Sequence, residues 1–322
     1  MKAMEKMTQV GAIDIGGSKL AVAIVTLDGV VLAQRLCATE PGRGFPDALA
    51  RMDRMLRDLI DEAGPIEGIG VACPGPLSPV TGELFEVSTL PGWRGANLVT
   101  ALEARFGVTV AVENDADAAA LAEFHWGIAS SAESFIYITI STGIGGGIIL
   151  NKKLYRGVQG AHPELGHQVI DPSGPLCYCG ARGCWESLAS GTAMSAWMQT
   201  ITPEAKPMSA SAICELAYAG DEVALKVVRR QGYFLGLGLA NLTTMFAPEV
   251  IALGGGVIKS GSLFLDEARR IVTSLCTQVP ATETSIQYAK LGNDVGLLGA
   301  AQSWLQHFGI SDNATRNDLQ RS

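Results

Sequence analysis

Two stretches of this chain, "VGAIDIGGSKLAVAIVTLDGVVLA" from Val10 and "FIYITISTGIGGGIILNKKLYRG" from Phe135, are built on one plan. Each runs through an apolar strand, a Gly/Ser/Thr loop, a second strand, a polar turn and a third strand. The copies start about 125 residues apart, far beyond the repeat length of a solenoid, so a whole domain core is duplicated. That pattern predicts an α/β chain of two domains facing one another, each offering a hairpin tip rich in backbone N–H groups. Strands are expected at residues 9–15, 20–26 and 30–36, as an antiparallel meander. In "FPDALARMDRMLRDLIDEAG", Leu49, Met52, Leu56 and Leu59 share one helical face, and Gly64 ends the helix. Short apolar runs at 68–73 and 108–114 alternate with further helical segments. A helix-rich region reaches about residue 247, and "VIALGGGVIKSG" adds a strand–Gly–helix unit. The expected boundary lies near residue 120, between a small N-terminal domain (1–120) and a larger C-terminal one (121–322). The tail after about 308 is expected to fray or to pack back on the first domain.

Composition excludes some partners. A net charge of −8 disfavours nucleic acid or an anionic membrane as the main ligand, although backbone N–H groups can still cradle phosphates. The start, "MKAMEKMTQVGAIDIGG", lacks the apolar core of a signal peptide, and no run has the length of a membrane span. A cytoplasmic location follows as an expectation, with thiols kept reduced.

Three glycine loops qualify as phosphate cradles. They are "DIGGSK" with Asp14, Gly16, Gly17, Ser18 and Lys19, "STGIGGG" with Thr142, Gly143 and Gly145, and Gly254, Gly255 and Gly256. The later two miss the dinucleotide spacing, because Ile148 and Lys259 stand where its third Gly belongs. No Gly-Lys pair occurs, which excludes the P-loop. What remains is the tight hairpin whose missing Cβ atoms admit phosphate oxygens, with Asp14 at a strand end suited to Mg2+.

"VTVAVENDADAAALAEF" puts Asn114 and Asp115 where a strand becomes a helix. Such residues serve either as a helix cap or as a proton acceptor for a weak hydroxyl nucleophile. Asp117 reads as a favourable charge in the first helical turn.

Three of the seven cysteines, Cys177, Cys179 and Cys184, fall in "PLCYCGARGCWE" as C-x-C-x4-C. Three thiolates and one imidazole satisfy a structural zinc, and His167, ten residues upstream, and His162 are the candidate fourth donors. A redox pair is disfavoured without a thioredoxin-like context, and Cys37, Cys73, Cys214 and Cys276 read as small core residues.

In their order, "AIDIGGSK", "VENDADAAALAE", "STGIGGG", "HPELGH" and "CYCGARGCWES" resemble the ROK family (repressors, uncharacterised frames and kinases), and within it the glucokinase-type sugar kinases. The resemblance runs from Asp14 to about Gln302. It implies an actin/hexokinase-like (ribonuclease H-like) duplicated fold with a hexose and Mg2+-ATP in the cleft, and a homodimer. It implies Asp115 as catalytic base, with Gly75, Asn114, Asp115, Glu164, His167 and Glu186 on the sugar. It selects His167 over His162 for a structural Zn2+, with Cys177, Cys179 and Cys184, and turns the second ring nitrogen of His167 toward the sugar. The metal would thereby hold His167 and Glu186 in place. In "STLPGW", Thr89 stands where glucokinase-type members commonly carry Asn. Glucose is therefore expected first, with N-acetylmannosamine, N-acetylglucosamine and fructose as alternatives. The family's regulators carry a helix-turn-helix module ahead of the first loop. The thirteen residues before Asp14 are too few for one, so a kinase is expected over a regulator.

Overall fold

The computed structural model describes residues 9–309. In the first sheet, β1 (Gln9–Ile15), β2 (Lys19–Thr26) and β3 (Val31–Ala38) form the expected antiparallel meander. β4 (Gly68–Cys73) and β5 (Thr109–Asn114) add in parallel beside β1, giving the order β3-β2-β1-β4-β5. The second sheet repeats this element by element. β6 (Ser134–Ile140), β7 (Ile144–Leu150) and β8 (Lys153–Leu154) make the meander, β9 (Val250–Gly254) and β10 (Ser285–Tyr288) add in parallel, and the order is β10-β9-β6-β7-β8. The duplicated sequence plan is thus a duplicated topology.

Helices α1 (Phe45–Ala63), α2 (Leu98–Phe106), α3 (Asp115–His125) and α9 (Val295–Phe308) belong to the first unit. Helices α4 (Trp185–Ala189), α5 (Gly191–Ile201), α6 (Ala210–Tyr218), α7 (Glu222–Phe246) and α8 (Leu265–Leu275) belong to the second. Leu49, Met52, Leu56 and Leu59 of α1 are buried against the first sheet, as their spacing requires, and the helix stops at Gly64. On the sheet's other side α9 lies so close that a Cβ at Gly70 would sit 1.7 Å from Ala300 O. A Cβ at Gly299 would sit 2.4 Å from the backbone of Ala118 in α3. The alanine run of α3 therefore has a packing cause: nearly all of that helix is interior, and only small side chains let it meet α9. Cys73, Cys214 and Cys276 are buried as expected, whereas Cys37 is only half-buried, on the outer strand β3.

The unit boundary departs from the expected residue 120, which lies inside α3. One compact unit takes the chain up to Gly127, Arg156–His162 and the chain from Leu291. The other takes Ile128–Tyr155 and Pro163–Lys290. The reason is packing, because α3 and α9 form one pair over the first sheet although the whole second sheet lies between them in the chain. The expected helix after Gly254–Gly256 is a 3-10 segment, Val257–Leu263, ahead of α8. The tail expectation for residues after 309 lies outside the described residues.

Candidate active site

In the first unit the carboxyl ends of parallel strands β1, β4 and β5 converge, which is where open α/β sheets bind ligands. Asp14 near the end of β1 and Asp115 at the start of α3 both bear on Cys73, whose thiol is pushed up by burial and then by these two charges. Burial, then the charge of Asp115, raises the Asp14 carboxyl to about 6, with Lys19 opposing. A Cβ at Gly296 would lie 2.4 Å from Asp14 Oδ2, so the bare first turn of α9 is what lets this carboxylate fit. The β1–β2 turn closes by Gly16 N–H donating to Lys19 O at 2.8 Å, and Thr39 Oγ1 donates to Gly16 O at 2.6 Å. Ser18 and Lys19 are exposed at its tip, and Gly17 packs on Thr89, the position that departs from the glucokinase-type loop.

The cap is the asparagine. Asn114 Oδ1 accepts from the N–H groups of Ala116 (2.9 Å) and Asp117 (3.3 Å). Asp115, the next residue, is exposed, and its Oδ1 accepts the N–H of Ala116 at 2.9 Å. With its oxygen engaged, Asn114 keeps its amide nitrogen on the side of Gly75, where a Cβ would meet Nδ2 at 3.3 Å. Asp117 stands in the first turn of α3, as expected, and is in addition fully buried and ion-paired.

In the second unit the β6–β7 hairpin tip and the Gly254–Gly256 turn are neighbours. A Cβ at Gly255 would meet Ile140 O, and one at Gly256 would lie 3.7 Å from Ser141 Oγ. Beside them opens a pocket of about 430 Å³, lined by Thr142, Thr192, Ser195, Ser209, Gly256 and Lys259 among others. Gly145 sits in β7 opposite Thr139. Glu186 Oε2 accepts from Ile144 N–H at 2.7 Å and would collide with any Cβ at Gly143, so the hairpin and the cysteine loop share this carboxylate.

His167, Cys177, Cys179 and Cys184 each offer one ligand atom, and the four atoms lie within 4.8 Å of one another. His167 Nδ1 is 3.6 Å from Cys177 Sγ, and Cys179 Sγ is 3.5 Å from Cys184 Sγ. Three soft thiols and an imidazole this close fit a four-coordinate metal site. His162, the other candidate donor, instead has Nδ1 2.9 Å from Asp117 Oδ2 in the first unit. The outward nitrogen, His167 Nε2, lies 2.9 Å from Tyr178 Oη, a partner that the sequence motifs do not announce. Most of the Tyr178 ring is exposed. Desolvation of its hydroxyl, then the charges of Glu186, Glu164, Cys177 and Cys179, push it up to about 12, so it stays protonated at neutral pH. Glu164 is exposed beside this group.

Residues 10–307 match the ROK family model. The chain belongs to the ROK family. This ROK protein is 35% identical over 241 residues to the xylose repressor of Bacillus subtilis (strain 168), a match covering 75% of this chain and 62% of the repressor's length. It is 34% identical to the N-acetylmannosamine kinase of Yersinia pestis (strain Pestoides F), over 90% of this chain and 96% of that one. A ROK hexokinase from Thermus thermophilus superposes with a TM-score of 0.82 at 34% identity, covering 93% of this chain and 99% of that one. A ROK family glucokinase from Streptomyces griseus, solved with glucose and AMPPNP, gives 0.76 at 32%, covering 91% and 98%. The expected actin/hexokinase-like fold class holds for this ROK protein, with two sheets of one topology.

Besides Tyr178, sequence reasoning missed Gly296, Glu113 and Arg156, and the buried group that the last two form with Asp117 and His162. Only a chain-distant packing partner reveals them, and no local motif announces one. The raised Asp14 has a measurable consequence. A carboxyl whose pKa climbs from 3.8 to about 6 on folding stabilises the protein fully below pH 3.8, and that stability is lost as pH rises through about 6. Asp14→Asn should therefore raise the melting temperature of the ligand-free protein at pH 7.5, by an amount worth about 2–3 kcal/mol, and change it far less at acid pH. Thermal unfolding at both pH values checks this.

Proposed function

We propose that this protein is an ATP-dependent hexose kinase, acting first on glucose to give glucose 6-phosphate, with N-acetylmannosamine, N-acetylglucosamine and fructose as the alternatives. The observation that carries the proposal is the division of labour at the β5–α3 junction. Asn114 Oδ1 caps the helix by accepting from Ala116 and Asp117, while the carboxylate of Asp115, whose Oδ1 also accepts Ala116 N–H, stands exposed at the same turn. A sugar hydroxyl gives its proton to Asp115 as its oxygen attacks the γ-phosphorus, and the bond from that phosphorus to the ADP oxygen breaks. Asn114, through its amide nitrogen, with Gly75, Glu164, His167 and Glu186, would orient the hexose. Paired acceptors of this kind penalise the wrong epimer.

The phosphates would lie along Gly16, Gly17, Ser18 and Lys19 and along Thr142, Gly143 and Gly145. The nucleoside side would take the pocket beside Gly254, Gly255 and Gly256. The desolvated, charge-crowded Asp14 suits a magnesium site, and Mg2+ brought with ATP neutralises phosphate charge. A structural Zn2+ on His167, Cys177, Cys179 and Cys184 would fix the loop that carries Glu186. In that state His167 Nε2–H donates to Tyr178 Oη until a sugar hydroxyl replaces it. Tyr178→Phe should therefore lower the sugar KM about fivefold with kcat unchanged; a raised KM would show that the tyrosine helps hold the sugar.

No helix among the described residues is long and apolar enough to cross a membrane. A cytoplasmic homodimer is the assembly and location this reading carries, and light scattering checks the dimer. A sugar-sensing regulator is the second reading, favoured by the identity to the xylose repressor. Coupled ADP release across a hexose panel separates the two, because a regulator binds sugar without turnover.

A further inference from the structure

Arg156–His162 pack with the first unit, although the strand before them and the loop after them belong to the second. The side chains of Arg156 and His162 close on two carboxylates, Glu113 and Asp117, on either side of Asn114 and Asp115. Arg156 Nη2 pairs with Glu113 Oε2. Its Nη1 lies 3.3 Å from Asp117 Oδ2, and His162 Nδ1 lies 2.9 Å from that same oxygen. Glu113 and Asp117 are 2% and 0% exposed. Both acids also hold the turn itself. Glu113 Oε1 accepts the N–H of Asn114 at 2.8 Å, and the N–H of Asp117 donates to Asn114 Oδ1 at 3.3 Å.

Two like charges at one buried junction are costly, and apolar residues of similar volume would stabilise the fold at least as well. The arrangement makes sense as a device for direction. A guanidinium bridging Glu113 and Asp117, locked by an imidazole, leaves the intervening Asn114 and Asp115 one backbone path. His162 stands two residues before Glu164, so this strap continues directly into the loop that carries a proposed sugar ligand.

We infer that Arg156 and His162 are positioning residues, which aim the Asp115 carboxylate and the Asn114 amide by clamping Glu113 and Asp117. The inference rests on Asp115 being the base. Neither residue is among the proposed contacts with sugar or nucleotide. Their loss is therefore expected to lower turnover and leave nucleotide affinity alone, since a misplacement of about 1 Å can cost about 100-fold in rate.

The test is steady-state kinetics at about 25 °C with Mg·ATP and glucose, or N-acetylmannosamine if that is the better substrate, on variants whose circular dichroism matches wild type. Arg156→Met should lower kcat about 100-fold with the ATP KM within about threefold of wild type, and Arg156→Lys should recover about tenfold of that loss. His162→Ala should lower kcat about tenfold. His162→Asn, which keeps a polar nitrogen beside Asp117 Oδ2, should restore most of it. Wild-type kcat in folded Arg156→Met and His162→Ala overturns the inference even if their melting temperatures fall. A kcat loss that neither Lys nor Asn relieves overturns it as well. If Arg156→Met does not fold, the His162 pair decides alone. Asp115→Asn is measured beside them. Wild-type turnover there sinks the base assignment, whereas an inactive Asp115→Asn with unaffected Arg156 and His162 variants sinks the positioning role alone.

Discussion

Asp115→Asn should lower kcat about 1,000-fold, equivalent to about 4 kcal/mol of transition-state stabilisation, while the sugar KM moves less than about threefold. The substitution is nearly isosteric. The Asn side chain keeps an oxygen to accept from Ala116 N–H, as Asp115 Oδ1 does at 2.9 Å, and the helix keeps its cap on Asn114. Stability should therefore hardly change, and the loss can be assigned to the missing proton acceptor. Steady-state kinetics with matched melting curves checks this. A kcat within about tenfold of wild type would move the base elsewhere, and Asp14, its charged neighbour, would be the next carboxylate to test.

Cys179→Ala should reduce zinc content from about one ion per chain to near zero and raise the sugar KM at least about 100-fold. The effect is expected on sugar rather than nucleotide. The Cys/His group is followed at once by α4, where Glu186 Oε2 receives Ile144 N–H, and His167 Nε2 sits in the same loop as Glu164. Loss of the proposed metal would release a loop whose buried side chains are few, Cys177, Cys184 and Trp185 among them, and the proposed sugar contacts would lose their fixed positions. Elemental analysis by plasma mass spectrometry gives the metal content, and calorimetric titration gives sugar and nucleotide affinities separately. Unchanged sugar affinity in a zinc-free variant would show that the cluster does not build the sugar site. Because Cys179 is exposed and Cys184 buried, Cys179→Ala separates metal loss from core damage better than Cys184→Ala would.

What could be read from the sequence was what local spacing encodes. The two meanders, α1 with its apolar face, and the C-x-C-x4-C cluster each follow from short-range pattern, and the structure assembles them as expected. The choice of His167 over His162 needed the family resemblance; in the structure His167 lies with the three cysteines, and His162 lies beside Asp117. What escaped was whatever depends on distant partners. The alanine run of α3 answers Gly299 of α9, which no local pattern shows. Asp117 is the helix-end charge that local sequence suggests, but its burial and its pairing with Arg156 could not be read there. The expected boundary near residue 120 lies close to Gly127, where the first segment of that unit ends, but the return of α9 to the first sheet at the far end of the chain could not be read locally.

The central claim is phosphoryl transfer from ATP to a hexose hydroxyl. The purified protein incubated with Mg·ATP and, in turn, glucose, N-acetylmannosamine, N-acetylglucosamine and fructose, with products read by mass spectrometry and ADP release, tests it most directly. The account predicts a hexose monophosphate formed in one-to-one ratio with ADP for at least one of these sugars, glucose first, and its loss in Asp115→Asn. Sugar binding without any phosphorylated product across the panel would contradict it.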